Sequence, residues 1–228
     1  KIDEKYVSRV GMCYKCKTVL EPLPLEQWYV KVKPLIEKAI QAVDTETVKI
    51  YPKNFVHILK MWYENLRDWN ISRQNVWGIQ IPVWYEVETE KDFSVLFIDK
   101  NKTHQQGSLH DLLQQGHTWE EILKGLQKVI APISAKVVFA DQKKQGKQYL
   151  PETDTFDTWF SSGQWPFVTL MTSQPGDFEK FYPTSVMETG YDLLKAWVSR
   201  MIMLGLYVTH DVPFKDVLFH GLVNDPYG

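Results

Sequence analysis

The sequence predicts an α/β fold with parallel strands, on three observations. First, two short apolar runs, Val186-Met187 and Val217-Leu218-Phe219-His220-Gly221-Leu222-Val223, flank a long helical pattern from Tyr191 to Tyr207. Strand, helix, strand in that order reads as a βαβ unit, and the second run is apolar enough for a strand buried on both faces. Second, helical stripes recur upstream, with Leu35, Ile36, Ala39, Ile40 and Val43 in one and Phe55, Ile58, Leu59, Trp62 and Leu66 in another. Third, charged and Gln-rich residues take over from Glu86 to about Gln148, which marks a small αβ insertion.

Bulk properties narrow the class. The chain has 228 residues, enough for one large domain or one domain with an attached module. With 26 Lys and Arg against 28 Asp and Glu, the net charge is −2. Such a surface is no broad electrostatic glove for nucleic acid, so any such contact is local or made by residues elsewhere. Hydrophobic residues at 44% and charged residues at 24% argue against intrinsic disorder. The most apolar stretch, Ala196 to Val208, is broken by Arg200 and falls short of the ~18 residues a membrane span needs. Lys1 to Arg9 is charged throughout, unlike a signal peptide. Two cysteines are too few for a disulfide scaffold, and a reducing, cytoplasmic location is expected. A first residue that is not Met and a turn-like end, Asn224 to Gly228, read as a piece of a longer protein.

Four segments follow in order. Residues 1–27 read as an extended ribbon with a knuckle: Val7 to Val10 precede the cysteine pair, Thr18 to Glu21 follow it, and Pro22 and Pro24 end it. Residues 28–85 combine helices with aromatic strands. Gln27 to Val32 is a strand candidate, Pro34 suits a first helical turn, Val48 to Tyr51 is extended and Asn54 is a candidate N-cap. An aromatic run from Trp69 to Gly78 continues through Ile81 to Tyr85. Residues 86–150 form the insertion, with capping boxes at Ser108/Asp111 and Thr118/Glu121, Gly116 ending the first helix, and a strand from Ile133 to Phe139. Residues 151–228 hold the aromatic stretch Asp154 to Phe167 and the βαβ unit, in which Thr189-Gly190 reads as the turn after the first strand and Asp192 opens the helix.

Few residues carry obvious chemistry. Cys13 and Cys16 are spaced C-x-x-C, at most half of a four-ligand zinc site. They are a bare knuckle or a site completed by residues elsewhere, and no βα pattern follows to suggest a redox motif. The run Trp69-Asn70-Ile71-Ser72-Arg73-Gln74 is either a core strand with a polar turn or a substrate-facing loop. Ligands of open α/β sheets bind at the carboxyl ends of strands, and Gly190 permits close approach of a ligand to the backbone. Asp192 is then either an acceptor for sugar hydroxyls or a first-turn carboxylate favoured by the helix dipole. His104, His110, His117 and His210 sit in polar contexts and are expected to be solvated; His220 differs, lying at the end of an apolar strand.

Together these runs resemble the valyl-tRNA synthetase family of class I aminoacyl-tRNA synthetases. The resemblance rests on Asn70 to Gln74 with Trp77-Gly78 and Ile81 to Tyr85; on Asp157 to Ser162 with Trp165-Pro166-Phe167; on Phe181 to Thr184; on Glu188 to Asp192 with Trp197 and Arg200 to Met203; and on His220 to Val223. It departs from the family at Lys195-Ala196, where an aromatic pair is usual, and through the insertion. The family's His-x-Gly-His and Lys-Met-Ser-Lys-Ser signatures do not occur in these 228 residues.

The resemblance implies the later part of a Rossmann-like nucleotide-binding catalytic domain, entered through a ribbon leaving an editing insertion. It implies an ATP-dependent ligase that activates valine as valyl-adenylate and passes it to tRNA(Val), with ATP as substrate together with Mg2+; zinc is not expected, because the lone C-x-x-C pair supplies at most half a site. Thr189, Gly190 and Asp192 would hold the ribose; His220 and the backbone through Val223 would border the adenine. Trp159, Leu193 and Trp197 would wall the valine pocket, and Arg73 and Gln74 would support the site. With both signatures missing, no residue here is assigned a catalytic role, and the segment alone is expected to be inactive. A degenerate synthetase-like module that binds nucleotide or RNA without chemistry, and a zinc-knuckle interaction module, stay open as alternatives.

Overall fold

The structure is a computed structural model, and it describes residues 9–13, 16–21, 25–75, 77–88 and 92–227. The start of the extended run expected from Val7, the prolines at 22 and 24, and Val76 lie outside the described residues. The first elements are β1 (Tyr29–Val30), α1 (Lys33–Asp44), β2 (Lys49–Tyr51), α2 (Asn54–Asn65), β3 (Trp69–Asn70), β4 (Ser72–Arg73) and β5 (Trp84–Glu86). Next come β6 (Ser94–Ile98), β7 (His104–Ser108), α3 (Leu109–Gln114), α4 (Trp119–Gly125), β8 (Leu126–Ile130), β9 (Lys136–Val138) and β10 (Tyr149–Pro151). The last are β11 (Thr155–Phe156), α5 (Thr158–Ser162), α6 (Trp165–Thr172), α7 (Asp177–Phe181), β12 (Thr184–Gly190), a π-helical turn (Leu194–Val198), α8 (Ser199–Val208) and β13 (Phe214–His220).

The βαβ unit forms as the strand–helix–strand pattern requires. β12 and β13 pair in parallel, and β2, more than 130 residues away in sequence, pairs in parallel on the far side of β13. Ile50, Val217 and Phe219 join Leu35, Ala39, Leu59, Met201 and Ile202 in one buried cluster, so α1, α2 and α8 cover a single face of the sheet. The opposite face carries Tyr51, Val186 and Leu218, all exposed. This corrects the expectation of a second strand buried on both faces. β13 instead alternates, with Val217 and Phe219 inward and Leu218 and His220 outward, as a sheet covered on one side demands. Val186, expected to be buried, is open for the same reason and because β12 is an edge strand.

Other expectations shift by a few residues. β13 ends at His220, and Gly221 to Val223 lie beyond it. Thr189 and Gly190 remain paired in β12, so the turn falls on Tyr191 and Asp192. The helix read as continuous from Tyr191 starts instead with the π-helical turn. Asn54 is the first residue of α2 rather than its cap. Lys53 precedes it in helical geometry, and the entry is closed by the backbone amides of Phe55 and Val56 bonding the carbonyls of Pro52 and Lys53. The strand expected at Ile133 to Phe139 shrinks to β9, with Ile133 in solvent.

The middle of the chain has its own core. β7, β6 and β8 form an antiparallel sheet, backed by α3 and α4 around Phe93, Val95, Phe97, Leu112 and Ile122. Both expected caps form on one side of the box: Ser108 Oγ accepts from the Asp111 amide and Thr118 Oγ1 from the Glu121 amide. The Glu121 carboxylate goes elsewhere, to the Lys100 amide and the His117 ring. His117 is therefore half-buried between Glu121 and the edge of Phe97, not solvated. Gly116 ends α3 at φ +96°, a left-handed position suited to glycine. β5 lies between β10 and β9 in a further sheet, so the segment edges at 85/86 and 150/151 run through strands that tie this unit to the rest. Among the described residues no helix is long and apolar enough to cross a membrane.

Candidate active site

The carboxyl ends of β12 and β13 bring three of the expected ligand residues together. Gly190 pairs with His220 across the two strands, and the Tyr191 amide donates to the His220 carbonyl at 3.2 Å. A Cβ on Gly190 would stand 2.6 Å from Asp192 Oδ1, 3.2 Å from Leu222 Cδ2 and 3.7 Å from His220 Cε1. A side chain here would push the exposed Asp192 carboxylate aside, so glycine leaves that carboxylate where it stands. Asp192 is exposed, and among the described residues its carboxylate has no hydrogen-bond or ion-pair partner. His220 Nδ1 lies 2.7 Å from the Gly221 carbonyl, and its Nε2 is 3.3 Å from Glu188 Oε1. Thr189 is buried on the other face of the strand, so only its backbone reaches this edge. Val223 is fully exposed beyond the strand end. Glu188 and Leu222 were not singled out from sequence; the period of two places Glu188 on the same face as Gly190 and was the available signal.

The three expected pocket residues sit on two neighbouring elements. Trp159 is on α5, Leu193 lies just before the π-helical turn and Trp197 within it. Trp159 is exposed, whereas Leu193 and Trp197 are partly buried. The indole nitrogen of Trp197 donates to the Ser162 carbonyl at 3.0 Å, which ties the turn to the end of α5. A Cβ on Gly163 would stand 2.9 Å from Leu204 Cδ1, so α5 meets α8 at van der Waals distance. A π-turn inside an α-helix is a recurrent feature of functional sites.

Arg73 and Gln74 bond within the protein. Arg73 donates to the carbonyls of Asn70 and Ser72 and pairs with buried Asp157 at 3.0 Å. Gln74 donates to Asp154 Oδ2 at 3.0 Å. Burial raises the Asp154 carboxyl above its ordinary range, opposed by that hydrogen bond. Asp157 also accepts from the Trp69 indole and caps α5 through the Trp159 amide. Glu152 is a second buried hub, accepting from the Trp28 indole, the Tyr85 hydroxyl and the amides of Thr153 and Asp154. Burial first, and then this bond to Glu152, pushes the Tyr85 phenol well above its usual value. Glu152, Asp154, Gln74, Trp28, Tyr85 and Lys128 line a cavity of about 220 Å³ that lies apart from the strand ends.

The cysteine knuckle is closed by backbone bonds, the Cys13 amide to the Thr18 carbonyl and the Lys17 amide to the Cys13 carbonyl. Both thiols are free. The Thr18 side chain, 3.3 Å from Cys16 Sγ, and then its backbone lower the Cys16 thiol to about 7. Among the described residues no group of three or more His, Cys, Asp or Glu is placed to hold a metal ion.

Comparison with known proteins puts this geometry in a lineage. Residues 7–228 match the family model of tRNA synthetases class I (I, L, M and V). The valine--tRNA ligase of Petrotoga mobilis is 39% identical over 227 residues, covering 99% of this chain and 22% of that protein. That of Borreliella burgdorferi is 36% identical over 226 residues, covering 99% of this chain and 21% of the relative. The chain thus spans about a fifth of the length of these curated relatives. A solved ternary complex of Agrobacterium radiobacter LeuRS with tRNA and LeuAMS is similar over 72% of this chain and 21% of that one, at 18% identity and a TM-score of 0.40. With a family match running from residue 7 to the end, over a mixed α/β architecture with a parallel sheet, the chain belongs to the class I tRNA synthetases.

Proposed function

We propose that the chain is part of a valine--tRNA ligase and supplies the half of its catalytic domain that positions substrates. In this reading residues 28–85 and 151–228 belong to a Rossmann-like catalytic domain, residues 86–150 are a variable insertion, and residues 1–27 are the ribbon that enters it. The observation that carries the proposal is the convergence of Gly190, Asp192 and His220 where two parallel strands end, the position at which open α/β sheets hold nucleotides. Asp192, unpartnered and exposed, accepts hydrogen bonds from the ribose hydroxyls of ATP. Gly190 and the Thr189 backbone allow the sugar to lie against the strand. His220 and the backbone running to Val223 border the adenine.

The reaction needs no covalent enzyme intermediate. A carboxylate oxygen of valine attacks the α-phosphorus of ATP, taken with Mg2+, and the bond to the diphosphate breaks. The valyl-adenylate then passes its acyl group to the terminal ribose of tRNA, and AMP leaves. What these residues contribute is alignment of the two reacting groups. Trp159, Leu193 and Trp197 form an apolar side-chain pocket that selects by size. It excludes isoleucine by steric conflict and rejects threonine, valine's isostere, only weakly.

The test is amino-acid-dependent ATP–diphosphate exchange by an intact synthetase carrying these residues, run with each amino acid in turn. Valine should give the fastest exchange and Trp197→Ala should admit isoleucine. Exchange with no amino acid, despite nucleotide binding, would favour a non-catalytic module; a valine-to-isoleucine ratio unchanged in Trp197→Ala would make Trp197 a core residue.

A further inference from the structure

Trp159 and Trp197 are 38 positions apart on different elements, so the spacing of the pocket walls proposed above depends on how the π-helical turn sits against α5. A π-turn displaces carbonyls from their usual helical donors. Here the carbonyls of Lys195 and Ala196, the two residues before Trp197, receive Arg200 Nη1 at 3.2 and 2.7 Å. The Arg200 guanidinium lies 4.3 Å from the centre of the Trp69 ring, within cation–π range. The Trp69 indole donates to Asp157 Oδ2 at 2.8 Å, and Asp157 Oδ1 accepts from the Trp159 backbone amide at 3.3 Å. Arg73 Nη2, 3.0 Å from the same carboxylate, balances its charge. Trp69 and Asp157 are buried, and Arg200 Nε is buried without a hydrogen-bond partner among the described residues. Arg200 is partly buried and makes no direct ion pair among the described residues; burial lowers its pKa from the ordinary value and the nearby Asp157 charge opposes that. Its contacts instead run unbroken from the backbone beside one tryptophan to the backbone of the other.

We propose that Arg200, Trp69 and Asp157 form a positioning relay that sets the spacing of Trp159 and Trp197, and so the choice of amino acid. The proposal rests on the pocket assignment above. None of the three touches substrate; they act through the π-turn and the cap of α5.

The test uses an intact synthetase that carries these residues. Trp69→Phe keeps an aromatic ring near Arg200 and removes the N–H that reaches Asp157, with the loss of some indole bulk, which the melting temperature reads separately from the valine KM. Arg200→Lys keeps the charge and loses the fork that holds two carbonyls. Each should raise the valine KM in diphosphate exchange about tenfold, as expected for loss of a buried bond to a charged group, and lower the valine-to-isoleucine ratio. The ATP KM should stay within about twofold. Valine and ATP constants that rise together, or a lowered melting temperature with an unchanged valine KM, would overturn the relay. If Arg200→Lys does not fold, Trp69→Phe decides alone. Trp159→Ala and Trp197→Ala serve as references. Altered valine use in these two, with Trp69→Phe unchanged, removes the relay and leaves the pocket standing; unaltered valine use in both removes the pocket and the relay with it.

Discussion

The parallel sheet and the insertion each bury an aromatic and aliphatic core, the sheet's much the larger, with opposite strategies. In the sheet, β12 and β13 are joined by one helical crossover, but β2 comes from a distant part of the chain and pairs with β13 across more than 130 residues. In the insertion, β6 and β7 form a hairpin and α3 and α4 follow directly. Polar groups differ accordingly. Asp99 in the hairpin turn accepts from the amides of Asn101 and Thr103 and from the Gln105 side chain. At the sheet's edge, Asp192 accepts from no group among the described residues. Locally satisfied carboxylates build structure, while an unpaired one at a strand end is available to a ligand. The comparison predicts that damage to the insertion changes stability, and damage to the strand ends changes substrate use.

The largest effect expected is Phe97→Ala. Phe97 is fully buried in the insertion, and such a truncation costs about 3–5 kcal/mol. Hydrogen exchange should show protection lost in β6, β7 and β8 and kept in β12 and β13; equal loss in both would mean that the two cores form one cooperative unit. Gly190→Ala comes next. The added methyl group displaces the exposed Asp192 carboxylate rather than a packed core atom, so ATP KM should rise about tenfold, as for loss of a hydrogen bond to a charged group, with little change in melting. A lowered melting temperature with normal ATP use would move Gly190 from the ligand edge to the core.

How much of this was legible follows the same division. The caps at Ser108 and Thr118 and the stop at Gly116 were readable because the atoms involved lie within four residues of one another. The β12–helix–β13 order was readable from apolar runs and helical period. The place of β2 was not, because three residues, Lys49 to Tyr51, carry no signal for a partner so far along the chain. The open face of β13 was misread because an apolar run such as Val217 to Val223 does not say which side is covered. Of the proposed site, Gly190, Asp192 and His220 are indicated by the strand-end pattern and the family resemblance, and they lie together where β12 and β13 end. Asp157 as a hub was missed, since its bond to Trp69 spans 88 residues, and the π-turn was missed because its sequence keeps ordinary helical spacing.

Smaller effects sharpen the contrast. Thr118→Ala removes the cap of α4 and should lower stability by about 1 kcal/mol, with valine and ATP constants unchanged; altered constants would show that the insertion communicates with the strand ends. The smallest is the response to acid. Asp99 is held below its ordinary value, first by the Thr103 amide and then by Gln105, and Glu121 first by the Lys100 amide and then by His117. Both therefore favour the folded state above the ordinary carboxylate range, and that support is lost as pH falls below it toward their folded values. Asp154, raised by burial, acts oppositely, favouring the folded state at low pH and losing that contribution as pH rises through its elevated value. Acidification from neutrality should loosen β6 and β7 in hydrogen exchange before it affects β11; the reverse order would contradict these assignments.

The central claim is that the strand ends carrying Gly190, Asp192 and His220 hold the nucleotide, and Asp192→Ala in an intact synthetase tests it most directly. Removing an acceptor of buried ribose hydroxyls costs about 1–3 kcal/mol. The measurement is valine-dependent ATP–diphosphate exchange with each substrate varied in turn. The account predicts an ATP KM raised tenfold or more with the valine KM nearly unchanged. Unchanged ATP KM and turnover would contradict it.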